Sequence, residues 1–99
     1  MSIWRYQINN NGQFVIENGH MCKYSKYAEF YTYATTPSQQ RKKLSLVEGE
    51  VTGNNAVWLK ERNDDLAKEL IIKHMQKQIE YYNGLIESLN IKIELLKDG

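Results

Sequence analysis

The sequence predicts an α+β protein: a small N-terminal antiparallel β-meander followed by one long C-terminal helix of the coiled-coil type. Eight of the eleven aromatic residues fall between Trp4 and Tyr33, and period-two alternation is confined to the first sixty residues. After residue 64 the apolar residues recur at helical spacing instead. We therefore divide the chain into a β domain over residues 1–60 and an oligomerisation helix within residues 61–99.

The first predicted element is a β-hairpin. The segment IWRYQI, residues 3–8, alternates aromatic or branched residues with polar ones, as a strand with one buried face does. The cluster NNNG at residues 9–12 supplies turn conformations. The segment QFVIE at residues 13–17 then predicts the returning strand, which Asn18-Gly19 closes with a second turn.

The segment HMCKYSKYAEFYTYATT is ambiguous, because its aromatic residues fit both helical and strand spacing. Its content of aromatic residues and threonine favours a strand over residues 28–35. Pro37 ends that strand, since it cannot donate to a sheet ladder.

Two further short strands are predicted before the helix. One lies around residues 43–47 in RKKLSLV, EGE then forms a turn, and AVWL at residues 56–59 gives the fifth strand. Short strands at this spacing indicate a meander, which stays open or closes into a small SH3-like barrel.

The helix is predicted from residue 64 to about residue 97. Asn63 is a suitable N-cap, and Asp64 and Asp65 place negative charge in the first turn. Beyond it, apolar residues recur with gaps of 3, 4, 3, 4, 3, 4 and 3, which is an unbroken heptad pattern. We call this set the seam and predict that it is an oligomer interface: Ile72, Met75, Ile79, Tyr82, Ile86, Leu89, Ile93 and Leu96.

The pair Asn83-Gly84 leaves two alternatives open: a helical hairpin bent at Gly84, or a strand formed by LNIKIEL. The spacing of the seam favours one continuous helix, because a turn would not preserve the 3–4 pattern on both sides. An interior glycine costs about 1 kcal/mol relative to alanine, whereas each buried seam residue contributes about 1.5–3 kcal/mol. A helix of about 50 Å is too long for a sixty-residue domain to cover. We therefore expect a second copy of the chain as partner, with a homodimer favoured and a higher oligomer as the alternative.

Composition excludes several classes of protein. The halves 1–50 and 51–99 carry +2 and −1, so neither resembles a polyanion-binding arm. One cysteine, Cys22, excludes an internal disulfide framework and fits a reducing compartment. No apolar run approaches the ~20 residues of a membrane span. We expect a cytoplasmic protein with no membrane partner.

The sequence offers no convincing catalytic or metal site. His20, Met21 and Cys22 supply too few ligands for zinc, and His74 falls at an outward heptad position. Cys22 has no identifiable base and orienting partner, and no glycine-rich phosphate loop is present. We therefore expect no enzymatic activity, no catalytic residues, no metal and no cofactor.

Two sets of residues indicate binding. Aromatic side chains are interleaved with lysines in the β domain, and a basic triplet precedes the fourth strand; both suit stacking and phosphate contacts, although a small core also uses aromatics. The candidate residues for a partner or ligand are Tyr24, Tyr27, Tyr31, Tyr33, Arg41, Lys42 and Lys43.

These features predict a non-enzymatic homo-oligomer whose β domain binds a protein partner. The excess of Lys, Asn, Ile and Tyr is typical of AT-rich coding sequence, which indicates a low-GC bacterium or a phage living in one. By size and composition alone the chain is similar to small phage-encoded accessory or inhibitor proteins that bind a host or defence protein. The alternative is a protein that binds or sequesters a nucleotide or nucleic acid through the same aromatic and basic residues.

Overall fold

The structure, a computed structural model, describes residues 1–23, 26–32 and 42–98. Five strands precede one helix, as predicted: β1 (Ser2–Ile8), β2 (Phe14–Lys23), β3 (Ala28–Thr32), β4 (Lys42–Leu44), β5 (Ala56–Leu59) and α1 (Asp64–Asp98). The strands form one antiparallel sheet in the order β4-β3-β2-β1-β5. The α+β architecture predicted from the sequence is confirmed.

The β1–β2 hairpin has the predicted turn but not the predicted end. Asn9 stabilises the turn, since its side-chain oxygen accepts hydrogen bonds from the backbone N–H groups of Asn11 and Gln13, both at 3.0 Å. The expected second turn at Asn18-Gly19 is wrong, because β2 runs on through both residues to Lys23. A Cβ at Gly19 would lie 2.1 Å from a backbone carbonyl oxygen of β3, so this glycine permits close packing rather than a turn.

The ambiguous third segment is a strand, as its aromatic content predicts. β3 covers Ala28–Thr32, and the rest of the predicted range lies outside the described residues. The strand predicted at 43–47 is shorter and begins at Lys42, because the chain bends after Leu44 and leaves Leu46 and Val47 exposed. The predicted turn follows, with Gly49 at a φ of 81°.

The sheet is curled into half a barrel around an inner apolar cluster. This cluster consists of Ile3, Met21, Ala28, Phe30, Leu44 and Trp58. The curl brings the segment after β4 against β5, where the Trp58 indole donates to the Ser45 carbonyl at 2.9 Å and the Gly49 N–H donates to the Trp58 carbonyl at 3.1 Å. The segment after β4 and the edge strand β5 therefore meet across the inner face of the sheet.

The opposite face of the sheet holds the start of α1. Tyr6, Val57 and Leu59 pack there with Ala67 and Ile71 of the helix in a second buried cluster. Alternate residues of β1 point to opposite faces of the sheet. Ile3 therefore packs in the inner cluster, whereas Tyr6 packs against the helix.

The junction between sheet and helix is held by hydrogen bonds as well as by apolar contacts. The Asn63 side-chain oxygen accepts from the Leu66 N–H at 3.1 Å, which confirms it as the N-cap. The buried Tyr6 hydroxyl accepts from the Asn63 N–H at 2.9 Å and donates to Asp64 Oδ1 at 3.0 Å. The first turn of α1 is thus fixed to the sheet.

The helix is continuous and extends well past the β domain. It passes through Gly84 without a break, which confirms the predicted single helix and excludes both the hairpin and the strand there. Only Ala67 and Ile71 are fully buried, and every side chain from Ile79 to Asp98 is exposed. The described part of the chain is 61 Å in its longest dimension. No helix within residues 1–23, 26–32 and 42–98 is long and apolar enough to cross a membrane.

Candidate functional site

The seam forms an uncovered apolar stripe along α1. Met75 is half-buried against the β domain, whereas the other seven seam residues retain between 47% and 80% of their accessible surface. Leu85, one position before Ile86, widens the stripe at its centre and is also exposed. A regular apolar stripe of this length on a water-facing helix is a typical association surface.

A second, shorter apolar row lies on the other side of the helix. Tyr81, Ile91 and Leu95 are exposed there, and small residues, Gly84 and Ser88, complete the same helical spacing. The sequence analysis missed this row, although a count of the apolar residues outside the seam would have found it. The distal half of α1 is therefore apolar on two sides, which is typical of a helix that contacts more than one neighbour.

An apolar groove lies where the seam meets the β domain. Ile8 and Phe14 of the sheet and Ile71, Ile72 and Met75 of the helix line most of a cavity of about 230 Å³. Lys68 closes one side, with its ammonium 5.5 Å from the centre of the Phe14 ring. The first two seam positions therefore lie beside sheet residues, not on an isolated helix.

A charged cluster occupies the inner face of the sheet. Arg5 is 3% exposed; one of its terminal nitrogens donates to Glu17 at 3.0 Å and the other to Gln7 at 2.8 Å. The Lys42 ammonium donates to both carboxylate oxygens of Glu17, at 2.7 and 2.8 Å. Burial lowers the pKa of Arg5, and the neighbouring Glu17 carboxylate opposes that shift. The cluster of two cations and one carboxylate carries a net charge of +1.

This cluster forms part of an open cleft of about 570 Å³, with Arg5, Gln7 and Lys42 in its lining. The opposite wall comes from the segment between β4 and β5 and includes Ser45, Thr52 and Asn54. Arg5 Nε is buried and has no hydrogen-bond partner within the part of the chain that the structure describes. The cleft is lined by three cations, Arg5, Lys42 and Lys43, by the carboxylate of Glu50 and by small hydrogen-bonding groups. The excess of cations suits a polar, negatively charged ligand.

Among the described residues, the binding candidates expected from the sequence lie in different surroundings. Tyr31 is 2% exposed, stacks on His20 with ring centres 5.3 Å apart, and donates to Glu29 at 2.6 Å, so its visible role is structural. Tyr27 is exposed beside Lys43, whose ammonium lies 5.9 Å from its ring centre. Lys42 and Lys43 both line the cleft. The remaining candidates, Tyr24, Tyr33 and Arg41, lie outside the described residues.

The groups considered for metal binding or catalysis remain separate in the described residues. No group of three His, Cys, Asp or Glu side chains in ranges 1–23, 26–32 and 42–98 is arranged to hold a metal ion. His74 is half-buried rather than solvated as expected, because the helix at this point still lies near the β domain. The acidic pair after Asn63 serves the helix start, where Arg62 donates to both oxygens of Asp64 and lowers the pKa of that carboxyl.

Comparisons with protein-family models, with curated proteins and with solved structures found no match. Function is therefore inferred from the residues and their geometry.

Proposed function

We propose that this chain is a non-enzymatic interaction protein that associates with itself through the seam and uses its β domain to hold a protein partner. The observation that supports self-association most directly is the exposure of the seam: its periodicity is that of a coiled coil, yet nothing in the described chain covers it beyond Met75. The single cysteine fits action in a reducing compartment, so we place the protein in the cytoplasm.

The exposed area of the seam is comparable to that of a stable dimer interface, which supports the proposal. Its seven exposed residues retain about half or more of their surface, on the order of 100 Å² each, which gives about 700–800 Å² per helix. Stable interfaces use about 800 Å² from each partner. Water contact with this area is unfavourable by about 25 cal/mol per Å², so pairing two seams has a substantial driving force.

The proposed surface for a protein partner is the edge of the sheet at β4. Within the described residues β4 pairs with β3 alone in the sheet, and its Lys43 lies near the exposed Tyr27. An exposed strand edge can accept a partner segment by backbone pairing, and an aromatic ring beside a cation adds a side-chain contact. In its most specific form, the proposal is a small accessory or inhibitor protein that acts on a host or defence protein.

Sedimentation velocity on wild type and on Ile86→Asp tests the self-association. Ile86 is 56% exposed, so pairing gains about half of its full burial free energy, roughly 1 kcal/mol per copy and 2 kcal/mol per dimer. The loss of this term alone weakens the dimer about 30-fold, and the buried carboxylate weakens it further.

Ser88→Asp is the matched control, since it adds the same charge two residues away on the far side of the helix. It should leave the dimer intact. A wild-type protein that is monomeric at tens of micromolar would overturn the proposal, and so would equal weakening by both substitutions.

The inner cleft favours a second candidate function, the binding of a nucleotide or another phosphate-bearing ligand. Arg5 and Lys42 supply cations, and the buried Arg5 Nε is a donor with no partner in the described residues. The fluorescence of Trp58 should respond to a ligand in the cleft, because its indole donates to the carbonyl of Ser45, which lines the cleft.

Titration of tryptophan fluorescence with cyclic nucleotides and a short oligonucleotide tests this candidate. Binding should quench the signal, weaken with added salt, and decrease in Lys42→Gln but not in Lys77→Gln, which removes a lysine from the exposed helix. The absence of salt-sensitive quenching would count against nucleotide binding and would leave the proposed self-association untouched.

A further inference from the structure

We infer that two copies pair their seams in antiparallel orientation about a twofold axis near residue 84, and that the helix tip of each copy lies in the apolar groove beside the other copy's β domain. This inference rests on the proposed self-association and specifies its geometry. It applies to a dimer and equally to each seam pair inside a larger bundle.

One antiparallel register pairs every seam residue. In antiparallel coiled coils an a position packs opposite a d position of the neighbour. Full overlap places seam residues whose numbers sum to 168 opposite one another. On the two flanks, the facing residues one position after each d position sum to 166, and those one position before each a position sum to 170. The four distinct layers are Ile72 with the partner's Leu96, Met75 with the partner's Ile93, Ile79 with the partner's Leu89, and Tyr82 with the partner's Ile86.

The residues beside the seam match in this register. On one flank, Glu69 lies opposite the partner's Lys97, so opposite charges meet. On the same flank Gln76 faces the partner's Asn90 and Asn83 faces its own copy, and amides both donate and accept. On the other flank Leu85 meets the partner's Leu85 at the twofold axis, which covers its exposed side chain.

Parallel pairing gives poorer contacts from the same residues. Tyr82 would face Tyr82 in one layer, so two large rings would compete for space that the antiparallel form gives to a tyrosine and an isoleucine. Lys92 would approach the partner's Lys97, a like-charge pair. The alternation of Ile with Leu that favours parallel dimers is present at only two of the four d positions, Leu89 and Leu96.

The apolar groove between the sheet and the helix also favours the antiparallel orientation. Ile8 and Phe14 stand beside Ile72 and Met75, so the sheet borders the beginning of the seam. A parallel dimer would bring two β domains together at this one end. The antiparallel register instead brings only the partner's helix tip, with Leu96 at 80% exposure, to a cavity lined mainly by apolar side chains.

Disulfide trapping by two separate variants tests the orientation. Both carry Cys22→Ser to remove the native thiol; one adds Ile79→Cys and the other Leu89→Cys. In the antiparallel register these two positions share a layer, whereas the same position in both copies is separated by ten residues, about 15 Å along the axis. A disulfide requires Cα atoms within about 7 Å.

We therefore expect the oxidised mixture of the two variants to give about ten-fold more linked dimer than either variant alone. Sedimentation of the reduced variants reports pairing independently. Linked dimers in each variant alone would overturn the antiparallel orientation, and reduced dimers that link in neither experiment would overturn the register. Reduced wild type that sediments as a monomer would overturn the proposed self-association itself.

Discussion

The glycine in the middle of α1 provides a sharp test of the helix on which the proposed self-association depends. Gly84 lies within an unbroken helix, and a Cβ placed there would meet no heavy atom within 4 Å. It also lies outside the seam, so Gly84→Ala changes helix propensity without a change in any seam contact. Alanine is favoured over glycine by about 0.8–1 kcal/mol in a helix interior.

The size of the effect depends on the exposed distal helix. A segment with no covered residue between Ile79 and Asp98 is marginal as an isolated helix, so its formation is coupled to pairing. Two copies then contribute about 2 kcal/mol per dimer, which corresponds to roughly 30-fold tighter association. The far-ultraviolet circular dichroism melt of the helix should shift upwards, and the shift should grow as protein concentration falls towards the dissociation constant.

Ser88→Ala calibrates this experiment, because Ser88 lies one turn further along the same outward side of the helix. Serine is intermediate in propensity, so the control should produce about half of the shift. If Gly84 acted as a hinge or turn, alanine would lower the helical signal or leave the melt unchanged while Ser88→Ala still raised it. That outcome would refute the continuous helix and the interface drawn from it.

Three further substitutions test the β domain and its joint with the helix. Gly19→Ala should destabilise the fold by about 2–3 kcal/mol in urea titrations followed by tryptophan fluorescence, because the added Cβ would lie 2.1 Å from a β3 carbonyl oxygen; a loss under about 0.5 kcal/mol would contradict that packing. Tyr6→Phe should cost about 1–3 kcal/mol in the same titration, because it deprives the Asn63 N–H of its acceptor; unchanged stability would show that water replaces the hydroxyl. Arg62 lowers the pKa of Asp64 in the folded protein, so this carboxylate stabilises the fold above its unfolded pKa of about 4, and that contribution is lost as pH falls through the lower folded value. Asp64→Asn should therefore reduce the loss of stability between about pH 5 and pH 3. If the variant lost as much stability as wild type over this range, the Arg62–Asp64 pair would be excluded as the source of that loss.

The helix was predictable because its signals are local and repeat. Asn63 and the acids after it mark the start, and the seam maintains its spacing on both sides of Gly84, so no contact with the β domain is needed to infer one helix. The strand AVWL was predictable for a similar reason, since loop residues bound a short apolar run.

The features that the sequence did not predict depend on contacts between strands. Asn18-Gly19 has the composition of a turn, but the close approach of β3 requires a residue without a side chain there. Arg5 lies on the polar side of an alternating strand, yet the curl of the sheet buries it with Glu17 and Lys42. Alternation shows which residues share a face, but not whether both faces are covered.

The apolar groove also could not be predicted from the sequence, and it bears on the proposed orientation of the dimer. Phe14 and Ile8 are close to each other in sequence, whereas Ile72 and Met75 lie in the helix, much later in the chain. The packing of α1 on the sheet, together with the Tyr6–Asp64 hydrogen bond, brings the two pairs together. With the sheet beside the first turn of the seam, space and apolar contact both favour a single helix tip over a second β domain. The fold of the β domain therefore supports the same antiparallel orientation that we infer from the seam and its flanking residues.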